Sequence, residues 1–442
     1  MTVQFEIERF ESQELRNKLG DYWMRVPEQI SLLNRFIFLD WASARLIAGW
    51  VPAAKELGWK SELSRHMWID MTCANRLLGR KEELAANAKI HIPTPQIQKF
   101  LQDVSAADDF YAFLAGWYLE VKTEIIYALE RLTESLDPIF DAPTLELIIE
   151  LLPKKRDQIE WAKRLIHDSV KEPAILESVT RWRKYAREYV RHLNGIDGRA
   201  DLGAFSKPAK PNVESYGPAP KKRTMPDWLI KGDFANPPEA VRDNLKIFMW
   251  HYMTEIQVVD PMCYVFYGLD DMPFEFYVDF SRHIWDECRH HQMGVRRLEQ
   301  MGYDIKQFPI PFVEDAIQEL EHFYAELTMF GESCSFSRKK KSMDSFYAKS
   351  DIISGMTAEI DIVDERTHVK FGKKWTPLLY KHRHENEQSL DEIVRSIMDR
   401  RFAGAAEGSD LGKLSEEERR SITHFAFCGK IEFKNLVFDK LS

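Results

Sequence analysis

Two copies of the pattern Asp-Glu-x-x-His are the residues in this chain best suited to bind a metal ion. One copy spans residues 286–290 and the other spans residues 364–368. Residues three apart on a helix face the same way, so the Glu and the His of each copy could reach one ion. Carboxylate combined with imidazole suits iron or manganese. The candidate ligands from these two copies are Glu287, His290, Glu365 and His368.

A single Glu-x-x-His is a weak signal, and the chain contains a third match at Glu319 to His322, which we interpret as chance. Two copies that share the preceding Asp, on alternate helices of one bundle, are far more specific. Paired Glu-x-x-His motifs with one further Glu from each of two other helices form the two-metal site of carboxylate-bridged four-helix bundles.

The further glutamates can be chosen from their heights along antiparallel helices. Glu255 lies 13 residues before Gly268, and Glu287 lies 13 residues after Phe274, so the two carboxylates have equal height on either side of that turn. Two glutamates, Glu332 and Glu326, are open alternatives on the next helix. Glu332 is favoured because it precedes the second motif by nearly the same interval.

Four other residues are candidates for the surroundings of the ions. A metal-bound His usually donates its other ring nitrogen to a carboxylate, and Asp286 and Asp364 could accept such bonds across the bundle, or they could be exposed acids. Glu359 is a candidate proton carrier, with a surface salt bridge as the alternative. His251 lies one turn before a predicted ligand and is a candidate for a seventh.

Helical periodicity of apolar residues dominates the chain, so we predict an all-α fold. Asn236-Pro-Pro-Glu239 is a strong helix start. Pro261 lies inside the helix that begins there and is expected to kink it, because proline leaves the carbonyl four residues earlier without its helical hydrogen bond. The helices predicted to form the bundle span residues 238–267, 274–301, 314–341 and 354 to just before Pro377.

Composition along the chain divides it into four parts. Many of the prolines and glycines fall in residues 195–238, which reads as an extended connector. We therefore predict a helical N-terminal domain over 1–194, this linker over 195–238, the di-metal domain over 239–385 and a helical C-terminal tail over 386–442.

Charge and cysteine content exclude several protein classes. The net charge of −9 argues against nucleic-acid binding, and the basic runs at residues 221–223 and 338–341 are expected to be solvated surface. Five scattered cysteines form no Cys-x-x-Cys pair, which fits a reducing cytoplasm. No signal peptide or membrane-spanning apolar run is recognised, so we expect a cytoplasmic protein without a membrane partner.

The residues around the motifs resemble a bacterial ferritin-like family catalogued as a domain of unknown function, related to rubrerythrins and di-iron oxygenases. The resemblance covers about residues 205–377. It rests on Met225-Pro226, on Glu255 with Asp260, on Phe276-Tyr-Val-Asp279, on Arg297-Leu298 and on Asp364-Glu-x-x-His-Val-x-x-Gly372-x-x-Trp375. It implies a ferritin-like four-helix bundle whose metal ligands are Glu255, Glu287, His290, Glu332, Glu365 and His368.

The chemistry expected of such a centre is oxidation with O2. Two iron ions, or iron with manganese, would make the chain a non-haem oxidoreductase of the oxygenase type that acts on a small organic substrate and needs an external reductant. A ferroxidase or peroxide-scavenging protein is the first alternative. A metal-stabilised interaction module without turnover is the second. A homodimer is compatible with each.

The N-terminal half is a candidate for a degenerate second bundle. Ser64-Arg-His-Met-Trp68 parallels Ser281-Arg-His-Ile-Trp285, and the positions matching Glu287 and His290 hold Asp70 and Cys73. His66 then matches His283 where no site is expected. That comparison favours a structural role for His283 over a role as an extra ligand.

Overall fold

The structure is a computed structural model that describes residues 24–85, 89–220, 223–226, 228, 252–308, 310 and 319–406. Its regular elements are all helices, and these residues contain no strand. The predicted all-α class is therefore confirmed. The first part of the helix predicted from residue 238, including His251, lies outside the described residues. No helix among those described is both long and apolar enough to cross a bilayer.

Two compact units make up the described chain. The first contains the described residues up to Leu39 together with Cys73–Glu214. The second contains Asp40–Thr72 together with the described residues from Ser215 onward. The division falls inside the first two helices, so each of them supplies residues to both units.

Two helices of the N-terminal half begin at side-chain caps. Thr94 and Asp109 accept hydrogen bonds from backbone N–H groups of the first turns that follow them. Trp117 and Trp182 are fully buried in the first unit. The elements are α1 (Val26–Trp50), α2 (Leu57–Leu84), α3 (Pro95–Ser105), α4 (Phe110–Leu114), a π-helical segment (Ala115–Lys122), α5 (Thr123–Glu134), α6 (Ala142–Ser169) and α7 (Pro173–His192).

Long helices also dominate the second unit. They are α8 (Ile256–Gly268), α9 (Phe274–Gln300), α10 (Leu320–Glu326), a π-helical segment (Leu327–Glu332), α11 (Ser333–Ala348), α12 (Ile352–Arg383) and α13 (Leu390–Ala406). Segments α10 to α11 form one continuous helical run. Pro261 lies inside α8, within the helix that the sequence predicts to contain it.

The predicted end of α12 before Pro377 is wrong, because the helix continues to Arg383. Proline removes one helical hydrogen bond, which normally favours an end at this point. Here the residues beyond it are held by packing: Tyr380 is buried in a cluster with Ile393 and Ile397 of α13. Burial of these apolar side chains outweighs the lost hydrogen bond.

Residues 40–72 pack against α8 and α9 within the second unit. Lys60 donates to both carboxylate oxygens of Asp260 at 3.0 Å, and both side chains are fully buried. Trp68 stacks on Trp285 with ring centroids 6.5 Å apart. The second unit thus takes a helical segment from the N-terminal half of the chain.

Candidate metal centre

Helices α9 and α12 carry titratable side chains at the same spacing. Positions i, i+4 and i+7 share one helix face, and both faces point into the second unit. The two helices run antiparallel, because Trp375 donates to Asp279 near one end and Arg297 donates to Asp351 near the other. On α9 the three positions are held by His283, Glu287 and His290, and on α12 they are held by Asp361, Glu365 and His368.

Cluster A consists of His283, Glu287, Glu332 and His368, which offer ligand atoms within 4.8 Å of one another. His283 Nε2 lies 2.6 Å from Glu332 Oε1, and His368 Nδ1 lies 3.5 Å from Glu287 Oε1. All four residues are buried. Glu332 ends the π-helical segment, whose wider turn shifts the register of the helix at this point.

Cluster B consists of Glu255, His290, Asp361 and Glu365, again with ligand atoms within 4.8 Å of one another. His290 Nδ1 lies 3.0 Å from Glu255 Oε2 and 3.5 Å from Asp361 Oδ1. The clusters adjoin, because Glu365 Oε2 lies 3.7 Å from Nδ1 of His368 in cluster A. The structure therefore brings all six predicted ligands into two adjacent groups.

Each of the six predicted ligands presents a buried oxygen or nitrogen that lacks a hydrogen bond of good geometry, although several of these atoms lie at ion-pair distance from one another. A buried polar atom left in this way costs about 1–3 kcal/mol. The set gathers donor atoms that a divalent cation would satisfy, so these clusters could hold metal ions. The atoms are Glu255 Oε2, Glu287 Oε1, His290 Nδ1, both carboxylate oxygens of Glu332, Glu365 Oε2 and His368 Nδ1.

The outer nitrogens of the two histidines bind carboxylates on the opposite helix. Nε2 of His290 donates to Asp364 and Nε2 of His368 donates to Asp286, each over 3.3 Å. Arg289 donates to both aspartates and holds them in place. With Nε2 of each ring bonded to a carboxylate, Nδ1 is the nitrogen that faces the clusters and that a metal ion could bind after losing its proton.

Lys339 contradicts the prediction that the basic run at 338–341 is solvated. Its side chain is only 6% exposed, and Nζ lies 2.8 Å from Asp361 Oδ1, 2.6 Å from Glu365 Oε1 and 3.7 Å from Glu255 Oε1. Lys339 follows Glu332 by seven residues, so both occupy the inner face of the same helical run. Lys340, one position on, is exposed as expected.

Burial and crowding of charge perturb several pKa values in the clusters. Burial, aided by repulsion from Glu255 and Glu365, raises the pKa of Glu287 to about 7. Burial lowers the pKa of His368, but the neighbouring carboxylates outweigh it and raise this pKa well above its usual range. In the metal-free protein, protons bound to groups such as Glu287 and His368 thus offset the negative charge of the clustered carboxylates. A metal ion that enters the clusters would displace these protons.

Burial also acts on Lys339, whose pKa it would lower. The attraction of Asp361, Glu365 and Glu255 is stronger and raises the pKa of Lys339 well above its usual range. The same ammonium lowers the pKa of Glu365 despite the opposing effect of burial. Lys339 is therefore a fixed positive charge beside cluster B.

Other candidates lie away from the clusters or outside the described residues. Glu326, the alternative to Glu332, has His322 Nε2 at 3.4 Å. Glu359 is exposed and accepts a hydrogen bond from Tyr347. His251 lies outside the described residues, so its predicted role stays a prediction.

Two cluster residues were missed or underrated by sequence reasoning. His283 was assigned a structural role by comparison with His66, yet it lies in cluster A beside Glu332. Asp361 was overlooked among the acids of α12. Its spacing of four residues from Glu365, the same as that of His283 from Glu287, was the signal that could have identified both.

Comparison with family models finds one match, to the family described as Protein of unknown function (DUF455), over residues 174–421. The matched region is longer than the predicted resemblance over 205–377 and includes every residue of both clusters. Comparison with curated proteins finds no match, and neither does comparison with solved structures. Since the family model matches more than half of the chain, the chain belongs to the family described as Protein of unknown function (DUF455).

Proposed function

We propose that clusters A and B hold two metal ions, iron with iron or iron with manganese, in a ferritin-like four-helix bundle. The helices would be α8, α9, the run from α10 to α11, and α12. The pattern of ligands supports this arrangement: one Glu from each of two helices and a Glu-x-x-His pair from each of the other two.

The observation that carries the proposal is the set of buried, unbonded donor atoms on all six predicted ligands. These atoms face one another at ion-pair distances without hydrogen bonds of good geometry, as His290 Nδ1 and Glu255 Oε2 do at 3.0 Å, and a cation bound among them would satisfy them together. The outer hydrogen bonds of His290 and His368 to Asp364 and Asp286 support it further. Such bonds are typical of metal-bound imidazoles.

The donor set suits iron or manganese. Carboxylates and imidazoles without thiolate favour these ions over thiolate-bound copper or zinc. Cys288 lies between two cluster residues in the sequence, but burial raises the pKa of its thiol to about 12. It is therefore a poor thiolate ligand.

The activity we propose is that of an O2-activating oxidoreductase that acts on a small organic substrate with electrons from an external reductant. Bound iron would supply one-electron and O2 chemistry at this position. The protein would hold the ligands, orient the imidazoles through Asp286 and Asp364, and exclude bulk water through burial of both clusters.

Metal content of the purified full chain, measured by plasma mass spectrometry, tests this proposal. We expect about two iron ions, or one iron and one manganese, per chain after loading with ferrous iron under nitrogen. O2 consumption with a reductant and a panel of small amines and acids then tests the reaction class.

The matched control replaces cluster residues while keeping their shape. Glu332→Gln combined with Glu365→Gln should reduce the bound metal to well below one ion per chain. Metal well below one ion per chain in the unaltered protein after loading would refute the centre. Two ions without O2 consumption under any substrate would refute the oxidoreductase assignment.

A further inference from the structure

Clusters A and B are related by their spacing but differ at one position. Each takes residues i and i+4 from one long helix and the i+7 histidine from the other. Residue i is His283 in cluster A and Asp361 in cluster B. Cluster B therefore has one carboxylate more and one imidazole fewer than cluster A.

Asp361 is already fully bonded, whereas His283 is not. Its Oδ1 accepts a hydrogen bond from Lys339 at 2.8 Å, and its Oδ2 accepts one from the hydroxyl of Tyr252 at 2.9 Å. In contrast, neither ring nitrogen of His283 has a hydrogen bond of good geometry, and the atom that Nε2 faces at 2.6 Å, Glu332 Oε1, belongs to cluster A itself. Four residues of cluster A thus offer an unbonded donor atom, while cluster B offers three.

Lys339 takes a second donor atom from cluster B. Its Nζ lies 2.6 Å from Glu365 Oε1, which leaves Oε2 as the unbonded oxygen of that carboxylate. The ammonium has little room to leave, because its side chain is buried and Nζ lies 5.8 Å from the centre of the Tyr252 ring. No comparable cation contacts cluster A among the described residues.

We propose that Lys339 makes the two metal positions unequal, so that the first ion binds at cluster A and the second binds at cluster B more weakly. This inference rests on the proposed function. The ammonium occupies the fourth ligand of cluster B and repels a second cation there. A metal that recruits Asp361 must break its bond to Lys339.

The size of the inequality follows from the bonds involved. Losing one charge-assisted hydrogen bond corresponds to an affinity ratio of about 10 to 100. We therefore expect the two binding steps of the unaltered protein to differ by at least about tenfold.

Calorimetric titration of the metal-free full chain with Mn²⁺ under nitrogen measures both steps. His283→Gln and Glu255→Gln assign them to a cluster. His283→Gln should weaken the tight step and leave the weak one, whereas Glu255→Gln should do the reverse. Two equal steps in the unaltered protein, or loss of the tight step in Glu255→Gln, would overturn the proposal.

Lys339→Met tests the residue itself, because it keeps an unbranched side chain only one atom shorter and removes the charge. It frees Asp361 Oδ1 and should tighten the weak step by about tenfold or more. The matched control is Lys340→Met, which removes an exposed ammonium that pairs with Asp344 on the surface. It should leave both steps unchanged.

The outcomes separate this inference from the proposed function. A gap between the steps that persists in Lys339→Met contradicts the role of Lys339 and leaves the two-metal centre standing. Absence of any Mn²⁺ or Fe²⁺ binding to the unaltered protein overturns both. Titration of the unaltered protein and of the two assignment variants can refute the inference by itself, so the test does not depend on Lys339→Met folding.

Discussion

Asp364 offers a sharp test of how the outer hydrogen bonds act on the ions. Its carboxylate accepts the Nε2 proton of His290 over 3.3 Å and also receives a bond from Arg289 at 3.1 Å. Asp364→Asn keeps the shape of the side chain and removes its charge. The imidazole should then lose part of its basicity and of its fixed orientation.

The magnitude follows from the length of this bond. Loss of an outer partner typically lowers metal affinity by about 10–100-fold. At 3.3 Å the bond is longer than the roughly 2.7–2.9 Å of a strong charge-assisted hydrogen bond, so the lower end applies. We expect affinity at cluster B to fall about tenfold, or about 1.4 kcal/mol.

The effect should be larger at one cluster because the histidines cross between them. His290 belongs to cluster B, whereas His368, whose outer partner is Asp286, belongs to cluster A. Arg289 bonds both aspartates and couples them, so Mn²⁺ titration of Asp364→Asn should weaken cluster B more than cluster A, and Asp286→Asn should show the opposite pattern.

A matched control lies on the same helix. Glu359→Gln removes an exposed carboxylate of α12 that bonds Tyr347 and should change neither affinity. The reasoning is refuted if Asp364→Asn weakens cluster A as much as cluster B, or if it changes the affinity of cluster B no more than Glu359→Gln does.

Four further predictions concern stability. Lys60→Met should cost about 3–5 kcal/mol in urea unfolding, because it leaves the buried carboxylate of Asp260 without its cation, and Asp260→Asn in the same chain should restore part of the loss. Gly372→Ala should cost about 1–3 kcal/mol, since a Cβ there would lie 2.6 Å from Cβ of Thr328. Gly79→Ala, with nothing within 4 Å, should be neutral or stabilising. Mn²⁺ at about 100 times the dissociation constant of the tighter step should stabilise the folded chain by at least about 2.7 kcal/mol, measured as a rise in melting temperature that a chelator reverses.

Local spacing was enough to predict most of the candidate site. The Glu-x-x-His motifs placed Glu287 and His290 together because residues three apart on a helix must share a face. Equal heights on antiparallel helices then selected Glu255 and favoured Glu332. These inferences needed only the regular geometry of the α-helix.

The residues that were not predicted are those whose burial depends on which face of a helix points into the protein. Lys339 lies in a run of four basic residues, and composition alone makes such a run look solvated. Asp361 lies among several acids of α12, and its spacing from Glu365 becomes informative only once its bonds to Tyr252 and Lys339 show that this face is buried. The match with His66 favours a structural role for His283, whereas the structure places His283 in cluster A. Sequence similarity between two short segments does not show that their side chains have the same surroundings in the folded protein.

The extent of α12 shows a second limit of sequence reasoning. Pro377 signals a helix end locally, and only the contacts of Tyr380 with α13 reveal why the helix continues. Tertiary packing overrides local preference at this position.

The division of the second unit between two distant stretches of chain has a consequence for biosynthesis. Lys60 and Asp260 are 200 residues apart along the chain. At about 5–20 residues per second, a ribosome needs roughly 10–40 seconds to make one after the other. During that interval residues 40–72 have left the ribosome without α8 and α9, and their apolar face and the Lys60 ammonium stay in water or against a chaperone. A gene fragment that begins at the linker would lack this segment and produce a metal unit with an uncovered side.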